Sequence, residues 1–172
     1  MAELLIFSER DDLAFELVSK GKEFSSALNM KLSAALLGEK IEGKADEYFA
    51  YGADRVYVAE NPALANVNAE SFAEALFQIG QQNDVKILLL PSTKRGKELG
   101  PRVAQKLGAG CITDATGVEL KDGNLTVSRY SWGEMLWPRK GSRRLSKWSL
   151  SCQRLLSWGQ KGPNRERLLK SP

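Results

Sequence analysis

The sequence predicts an α/β domain whose doubly wound, mostly parallel sheet has helices on both faces, followed by a β-hairpin. Two observations support this prediction. Short apolar runs alternate with longer amphipathic segments, and the runs at 4–7 and 87–90 lack the polar alternation of a half-exposed strand. Strands that are buried on both faces are typical of parallel sheets, whose neighbouring strands are joined by right-handed crossover helices.

Four predicted strands and four predicted helices alternate along the first part of the chain. The strands lie at 3–8, 31–37, 55–59 and 85–90, and the helices lie at 11–28, 42–51, 69–81 and 94–107. Asp11 and Asp12 suit the positive end of the first helix dipole and can cap its free N–H groups. Pro91 ends the fourth strand, and Gly108 ends the fourth helix.

The hairpin follows the last of these helices. Thr116–Leu120 and Leu125–Tyr130 flank Asp122-Gly123-Asn124, which is a typical hairpin turn. The complete pattern predicts a Rossmann-like fold of the adenine-nucleotide-hydrolase-like kind. We interpret residues 1–133 as one domain and residues 134–172 as an atypical basic tail.

The composition excludes several classes of function. The 172 residues include no histidine and only two cysteines, so neither a Ser-His-Asp triad nor a zinc site is expected. No apolar run reaches the roughly 20 residues of a membrane span, and no signal peptide is evident at the start. We therefore predict a cytoplasmic protein that is not an enzyme and has no metal site.

The candidate binding site is a pair of loops. In doubly wound sheets, ligands lie beyond the carboxyl ends of the strands where the strand order reverses, which here brings together the loops Phe7–Asp12 and Pro91–Gly96. The predicted nucleotide or anion site consists of Ser8, Glu9, Ser92, Thr93, Lys94, Arg95 and Gly96. In the alternative interpretation, Ser92 and Thr93 only cap the helix and the cations, including Lys97, are solvated. The sequence contains no P-loop motif that would favour the nucleotide interpretation.

Other polar residues are expected to have structural roles. Asp114 and Glu9 are interpreted as turn or cap groups instead of an acid/base pair, and Cys111 is interpreted as an inert core residue. Three aromatic side chains are expected to pack the second helix on the sheet: Tyr48, Phe49 and Tyr51.

Three segments together resemble the alpha subunit family of electron transfer flavoproteins. They are Leu4–Glu9, Leu88–Ala104, and Gly108–Asp114 with the hairpin that ends in Ser128-Arg-Tyr130. The middle segment, with its Gly-Lys-Glu-Leu and Pro-Arg-Val-Ala parts, is the most specific of the three. The resemblance covers residues 1 to about 133, which match the N-terminal domain of that family.

The resemblance implies a role as an electron carrier. In the family, alpha and beta subunits form a heterodimer with FAD that passes electrons from acyl-CoA-type or other dehydrogenases to an acceptor. The FAD lies mainly in a C-terminal alpha domain, so the resemblance assigns no flavin residue to this chain. The alternative is a stand-alone module of the same fold that binds AMP or a similar nucleotide.

The last forty residues differ in composition from the others. Residues 1–132 carry 15 basic and 19 acidic side chains, a net charge of −4, whereas residues 133–172 carry 10 and 2, a net charge of +8. One interpretation is a genuine basic tail, in which an amphipathic helix lies on anionic lipid or RNA. We favour another interpretation and predict no nucleic-acid partner.

We predict a reading-frame slip near Gly133. The family that the chain resembles continues here with Gly-Gly-Asn-Ala and a further strand, whereas this chain has Gly133-Glu-Met-Leu-Trp-Pro-Arg-Lys140. Adding one G after the Gly133 codon allows synonymous codons to restore that sequence, and Trp137, Trp148 and Cys152 then supply the TG of ATG codons for methionine. The tail would then be unselected for packing and disordered, and one sheet strand would be missing.

Overall fold

The computed structural model describes residues 1–39, 41–65, 68–121 and 124–130, together with three short strands at 145–149, 156–158 and 169–170. The elements are β1 (Glu3–Phe7), α1 (Asp11–Ala27), β2 (Lys31–Gly38), α2 (Ala45–Ala50), β3 (Tyr51–Gly52), β4 (Arg55–Glu60), α3 (Ala69–Gln82), β5 (Val85–Pro91), α4 (Lys94–Leu107), β6 (Ala115–Lys121), β7 (Asn124–Tyr130), β8 (Leu145–Ser149), β9 (Leu156–Trp158) and β10 (Leu169–Lys170). Single 3-10 turns precede α2 and α3 at Glu42–Lys44 and Pro62–Leu64.

The sheet has the predicted doubly wound topology. Its parallel centre runs β4-β2-β1-β5, and β1 is hydrogen-bonded to β2 on one side and to β5 on the other. The chain therefore moves outward from β1 through β2 to β4, and then returns to the opposite side of β1 for β5. The reversal of strand order lies between β1 and β5, as the sequence predicted.

Successive side chains of β1 pack against different helices. Leu4 and Ile6 belong to one core with the inner sides of α1 and α2, whereas Leu5 and Phe7 belong to a second core with α3 and α4. This alternation follows from the two-residue period of a strand. It explains why Leu4–Phe7 is an uninterrupted apolar run, and it confirms the predicted helices on both faces.

Two local predictions differ from the structure. The helix predicted over 42–51 is a 3-10 turn followed by α2, and it ends before Gly52, whose φ of +104° is a backbone conformation that favours glycine. Asp11 and Asp12 lie inside α1, after the N-cap residue Arg10, and no side chain caps this end. Their carboxylates instead pair with Lys44 and Arg10, so their charges suit the helix dipole without capping it.

The predicted hairpin is present as the antiparallel pair β6–β7, while the two turn residues at 122–123 lie outside the described residues. Backbone of the tail also joins the sheet: β8 pairs with β7, β9 lies between β5 and β6, and β10 pairs with β4. Most of residues 131–172 lie outside the described part, so the disordered tail and the frame slip stay predictions. No helix among the described residues is long and apolar enough to cross a membrane.

Candidate functional site

The pairing of β1 with β5 brings the two predicted loops into contact. Glu9 follows β1 and Thr93 precedes α4, and the Thr93 hydroxyl donates a hydrogen bond of 2.6 Å to the Glu9 carboxylate. These residues are 84 positions apart in the sequence. The contact therefore depends on the strand order, and it places both loops at one edge of the sheet.

Ser8 is committed to its own turn. Its side chain is buried, its hydroxyl donates to the Arg10 carbonyl at 2.8 Å, and the same oxygen accepts from the Arg10 N–H at 3.0 Å. A hydroxyl with these local bonds shapes the β1–α1 turn. Ser8 therefore lies in the predicted loop, and its hydroxyl stabilises the backbone of that loop.

Thr93 is the N-cap of α4. Its side-chain oxygen accepts a hydrogen bond from the Gly96 N–H at 3.0 Å, and its carbonyl accepts from the Lys97 N–H, also at 3.0 Å. The threonine hydroxyl thus links the helix start to Glu9. It also occupies one backbone N–H group, that of Gly96, which an anion would otherwise bind. Ser92 lies beside it, partly buried, and does not occupy the cap position.

Gly96 is packed directly against the preceding strand. A Cβ atom at this position would lie 2.0 Å from the Pro91 carbonyl oxygen, which is far inside van der Waals contact. The first turn of α4 can therefore approach β5 this closely only with glycine at position 96. The glycine has a steric role in the candidate site, whatever the site binds.

Lys94 and Arg95 are the exposed cations of this edge. Among the described residues neither has an acidic partner, whereas Lys97 forms an ion pair with Asp114. Arg95 lines a shallow pocket between the starts of α3 and α4, together with Glu9 and Glu98. The pocket thus combines one cation with two carboxylates, and its charge is mixed.

Sequence reasoning missed the contribution of α3 to this pocket. Ala69 and Phe72 from its first turn form one wall, and Leu99 of α4 forms part of the apolar floor. The available signal was Asn68, whose side chain accepts from the Glu70 N–H at 3.0 Å and marks the start of α3. Two helix N-termini therefore lie near the edge, although only that of α4 was predicted to do so.

The other candidate residues have separate partners. Asp114 adopts a φ of +57° and pairs with Lys97, while Glu9 pairs with Thr93, so the described contacts do not join the two carboxylates. Cys111 is partly buried in the loop before β6, and burial raises the pKa of its thiol, which disfavours the reactive thiolate. Within the described residues, no three metal-ligating side chains cluster.

The fold and this edge define a doubly wound α/β domain whose two loops meet at the switch point between β1 and β5. A family model for the electron transfer flavoprotein domain matches residues 6–137. The chain therefore belongs to the electron transfer flavoprotein family.

Curated relatives support the same assignment. The chain is 30% identical over 135 residues to the electron transfer flavoprotein subunit alpha of Clostridium acetobutylicum, covering 74% of this chain and 40% of that protein. It is 30% identical over 121 residues to the subunit of the same name from Bacillus subtilis, covering 70% and 37%. It is also 33% identical over 106 residues to the acryloyl-CoA reductase electron transfer subunit beta of Anaerotignum propionicum, covering 62% and 29%.

The chain thus spans about two fifths, or less, of the length of these relatives. The matched part begins within β1, includes the helices α1–α4 and the strands β2–β7, and ends before β8. Family membership is therefore carried by the α/β domain described above.

Proposed function

We propose that this chain is the N-terminal part of an electron transfer flavoprotein alpha subunit and takes part in electron transfer. The observation that carries the proposal is the family match over residues 6–137, which includes β2, β4 and β5 of the parallel centre and the end of β1. The names of the curated relatives agree with an electron-transfer role. In this proposal the chain is a carrier subunit and not a catalyst.

The proposed partner is a beta subunit of the same family, with FAD bound in the complete assembly. No residue of this chain is assigned to the flavin. One relative is named a subunit of an NAD- and ferredoxin-dependent lactate dehydrogenase, and another an electron transfer subunit of acryloyl-CoA reductase. Different dehydrogenases are therefore suitable candidates for the electron donor.

Complex formation tests this proposal. The full chain is mixed with the family beta subunit from the same organism, and the mass of the complex is measured by size-exclusion chromatography with light scattering. We expect a one-to-one complex that an excess of full-length alpha subunit displaces, because both would use the same surface. Separate elution of the two chains at micromolar concentration would contradict the partner proposal.

The second candidate function is a stand-alone adenine-nucleotide module. Lys94 and Arg95 favour it, because both cations lie at the switch point without an acidic partner among the described residues. A ligand at a hundred times its Kd stabilises a protein by about 2.7 kcal/mol, which raises Tm by several degrees for a chain of this size. AMP is the nucleotide to use first.

A thermal-shift experiment separates this candidate from the first. AMP should raise the Tm of the parent chain and have no effect on the Lys94→Ala/Arg95→Ala variant. Lys31→Ala/Arg129→Ala is a matched control, since it also removes one lysine and one arginine without an ion-pair partner among the described residues. If AMP shifts all three proteins equally, or none of them, the loop is not a nucleotide site.

A further inference from the structure

A buried polar network lies at the amino end of the sheet, opposite the candidate site. The Glu3 side chain is only 4% exposed, yet its carboxylate accepts three hydrogen bonds. The Ser33 hydroxyl donates at 2.6 Å, the Tyr57 hydroxyl at 2.8 Å and the Arg55 guanidinium at 2.9 Å. The network therefore joins β1 to β2 and to β4, the outermost of these three parallel strands.

The pairing of β5 with β1 is irregular opposite Glu3. Glu3 pairs with Val85, but the next residue, Leu4, pairs with Ile87, so the register between β1 and β5 shifts by one residue at this point. The pairing of β1 with β2 continues without a shift. The extra residue is Lys86, so the bulge belongs to β5, and Glu3 keeps a regular position in the β1–β2 pair that carries the network.

The apolar pattern of these strands specifies their register only weakly. All five residues of β1 are buried, and so are residues 32–38 of β2. A one-residue slip normally moves apolar side chains from the core into solvent, and that cost fixes the register of a half-exposed strand. Here both faces are covered by helices, so a slipped strand would still bury apolar side chains.

We propose that the Glu3 network is a register lock, which selects the pairing of β2 with β1 and of β4 with β2. Only the observed register places Ser33, Arg55 and Tyr57 around one carboxylate. Burial raises the pKa of the Tyr57 hydroxyl, and so does its hydrogen bond to Glu3, so this group stays protonated and can donate. A slipped strand would leave the buried carboxylate without its donors, which is strongly unfavourable.

A register lock and a network that only adds stability predict different results when the polar groups are replaced by apolar ones. Buried ion pairs can often be replaced by apolar residues without loss of stability, because the charges lose hydration on burial. The triple variant Glu3→Leu/Arg55→Met/Tyr57→Phe of the full chain should therefore keep its denaturation midpoint. Its β4 amides, at Val56–Ala59, should lose protection from hydrogen exchange by about tenfold or more, while the amides of β5 keep theirs.

The control is Asp84→Asn/Lys86→Met, which removes an ion pair at the same end of the sheet and changes no side chain of the network. It should leave β4 protection at the parent value. Parent-like protection of β4 in the triple variant would overturn the lock.

Two single variants decide the question if the triple variant does not unfold cooperatively. Glu3→Gln keeps an acceptor oxygen for the Ser33 and Tyr57 hydroxyls, whereas Glu3→Leu keeps none. The lock requires the leucine variant to lose β4 protection and the glutamine variant to retain it. Equal loss in the two variants, or no loss in either, would show that the network does not select the register.

Discussion

Tyr48 carries a buried hydroxyl group with no hydrogen-bond partner among the described residues. The residue is 2% exposed and its ring lies 5.2 Å from that of Phe15, so it packs α2 against α1, whereas the sequence predicted that it packs the helix on the sheet. Burial raises the pKa of this hydroxyl strongly, and the charges of Asp11 and Glu47 raise it further. The hydroxyl therefore stays neutral, and no hydrogen bond from the described residues offsets its loss of hydration.

Replacing Tyr48 by phenylalanine should consequently stabilise the fold. Tyr48→Phe keeps the packed ring and removes the unpaired hydroxyl, so we expect the free energy of unfolding to rise by about 1 kcal/mol. Chemical denaturation measures the change. Tyr57→Phe is the matched control, because its hydroxyl donates to Glu3 and its removal should cost about 1–2 kcal/mol. A loss of stability in Tyr48→Phe would reveal a partner for the hydroxyl, such as a buried water.

A second prediction concerns the contact between Gly96 and the Pro91 carbonyl. Gly96→Ala would place Cβ 2.0 Å from that oxygen, so α4 has to move and the free energy of unfolding should fall by about 2–3 kcal/mol. Gly100→Ala lies one turn later in the same helix, where the new Cβ would be 3.4 Å from its nearest neighbours. That variant should stay within about 1 kcal/mol of the parent, since alanine favours the helix. Equal changes in the free energy of unfolding would show that the contact between position 96 and the Pro91 carbonyl does not require glycine.

At the scale of the element, α4 shows how one side chain joins a helix to a distant loop. Thr93 caps the helix through Gly96 and also donates to Glu9. Thr93→Ala removes both bonds and should cost about 1–2 kcal/mol, whereas Thr93→Ser should keep most of that stability. Ser92→Ala, next in the chain but outside the cap position, is the control for a nonspecific effect of the loop. Denaturation midpoints that agree for Thr93→Ala and Ser92→Ala would contradict the cap.

The same helix shows which features could be predicted from the sequence. Its observed bounds, Lys94–Leu107, equal the predicted ones, because the cap residue before it and Gly108 after it are local signals. The meeting of the two loops was also predictable, since ligand loops in doubly wound sheets lie where the strand order reverses. The split of the second predicted helix was missed, because the sequence gives no strong signal for a 3-10 turn.

Long-range pairs could not be predicted at all. The register that joins Glu3 to Arg55 and the ion pair between Lys97 and Asp114 depend on the positions of elements that are distant in the chain. The positive φ of Asp114 was equally hidden, because aspartate adopts this conformation only where tertiary contacts support it. Whether the loop around Arg95 binds a ligand stays a prediction.

For the whole molecule, the basic tail (residues 134–172) and the domain before it (residues 1–133) are expected to differ in their resistance to trypsin. The tail strands β8, β9 and β10 contain five, three and two residues, and short strands open readily. We expect trypsin to cleave the tail at sites such as Arg139 and Lys140 well before it cleaves the domain, leaving a fragment that mass spectrometry identifies. A tail that survives as long as the domain would contradict the prediction that it was never selected to pack.

Resequencing the gene from the codon of Ser128 onward tests the reading-frame slip directly. We expect one additional base near the codon of Gly133. An unchanged reading frame would establish residues 134–172 as the natural sequence. The tryptophans and basic residues of the tail would then require a function of their own.

The position of β1 in the sheet also affects how the chain is made. One edge of β1 can pair once β2 has been synthesised, but its other edge waits for β5, which ends at Pro91. At about 5–20 residues per second, the ribosome needs about 3–10 seconds to extend the chain from the end of β2 to that point. During this interval one backbone edge of β1 is unpaired and the apolar side chains of Leu4–Phe7 are incompletely covered, so chaperones can bind this segment of the nascent chain. The central strand is therefore translated first, yet it gains its second neighbour only after β2 has gained both of its own.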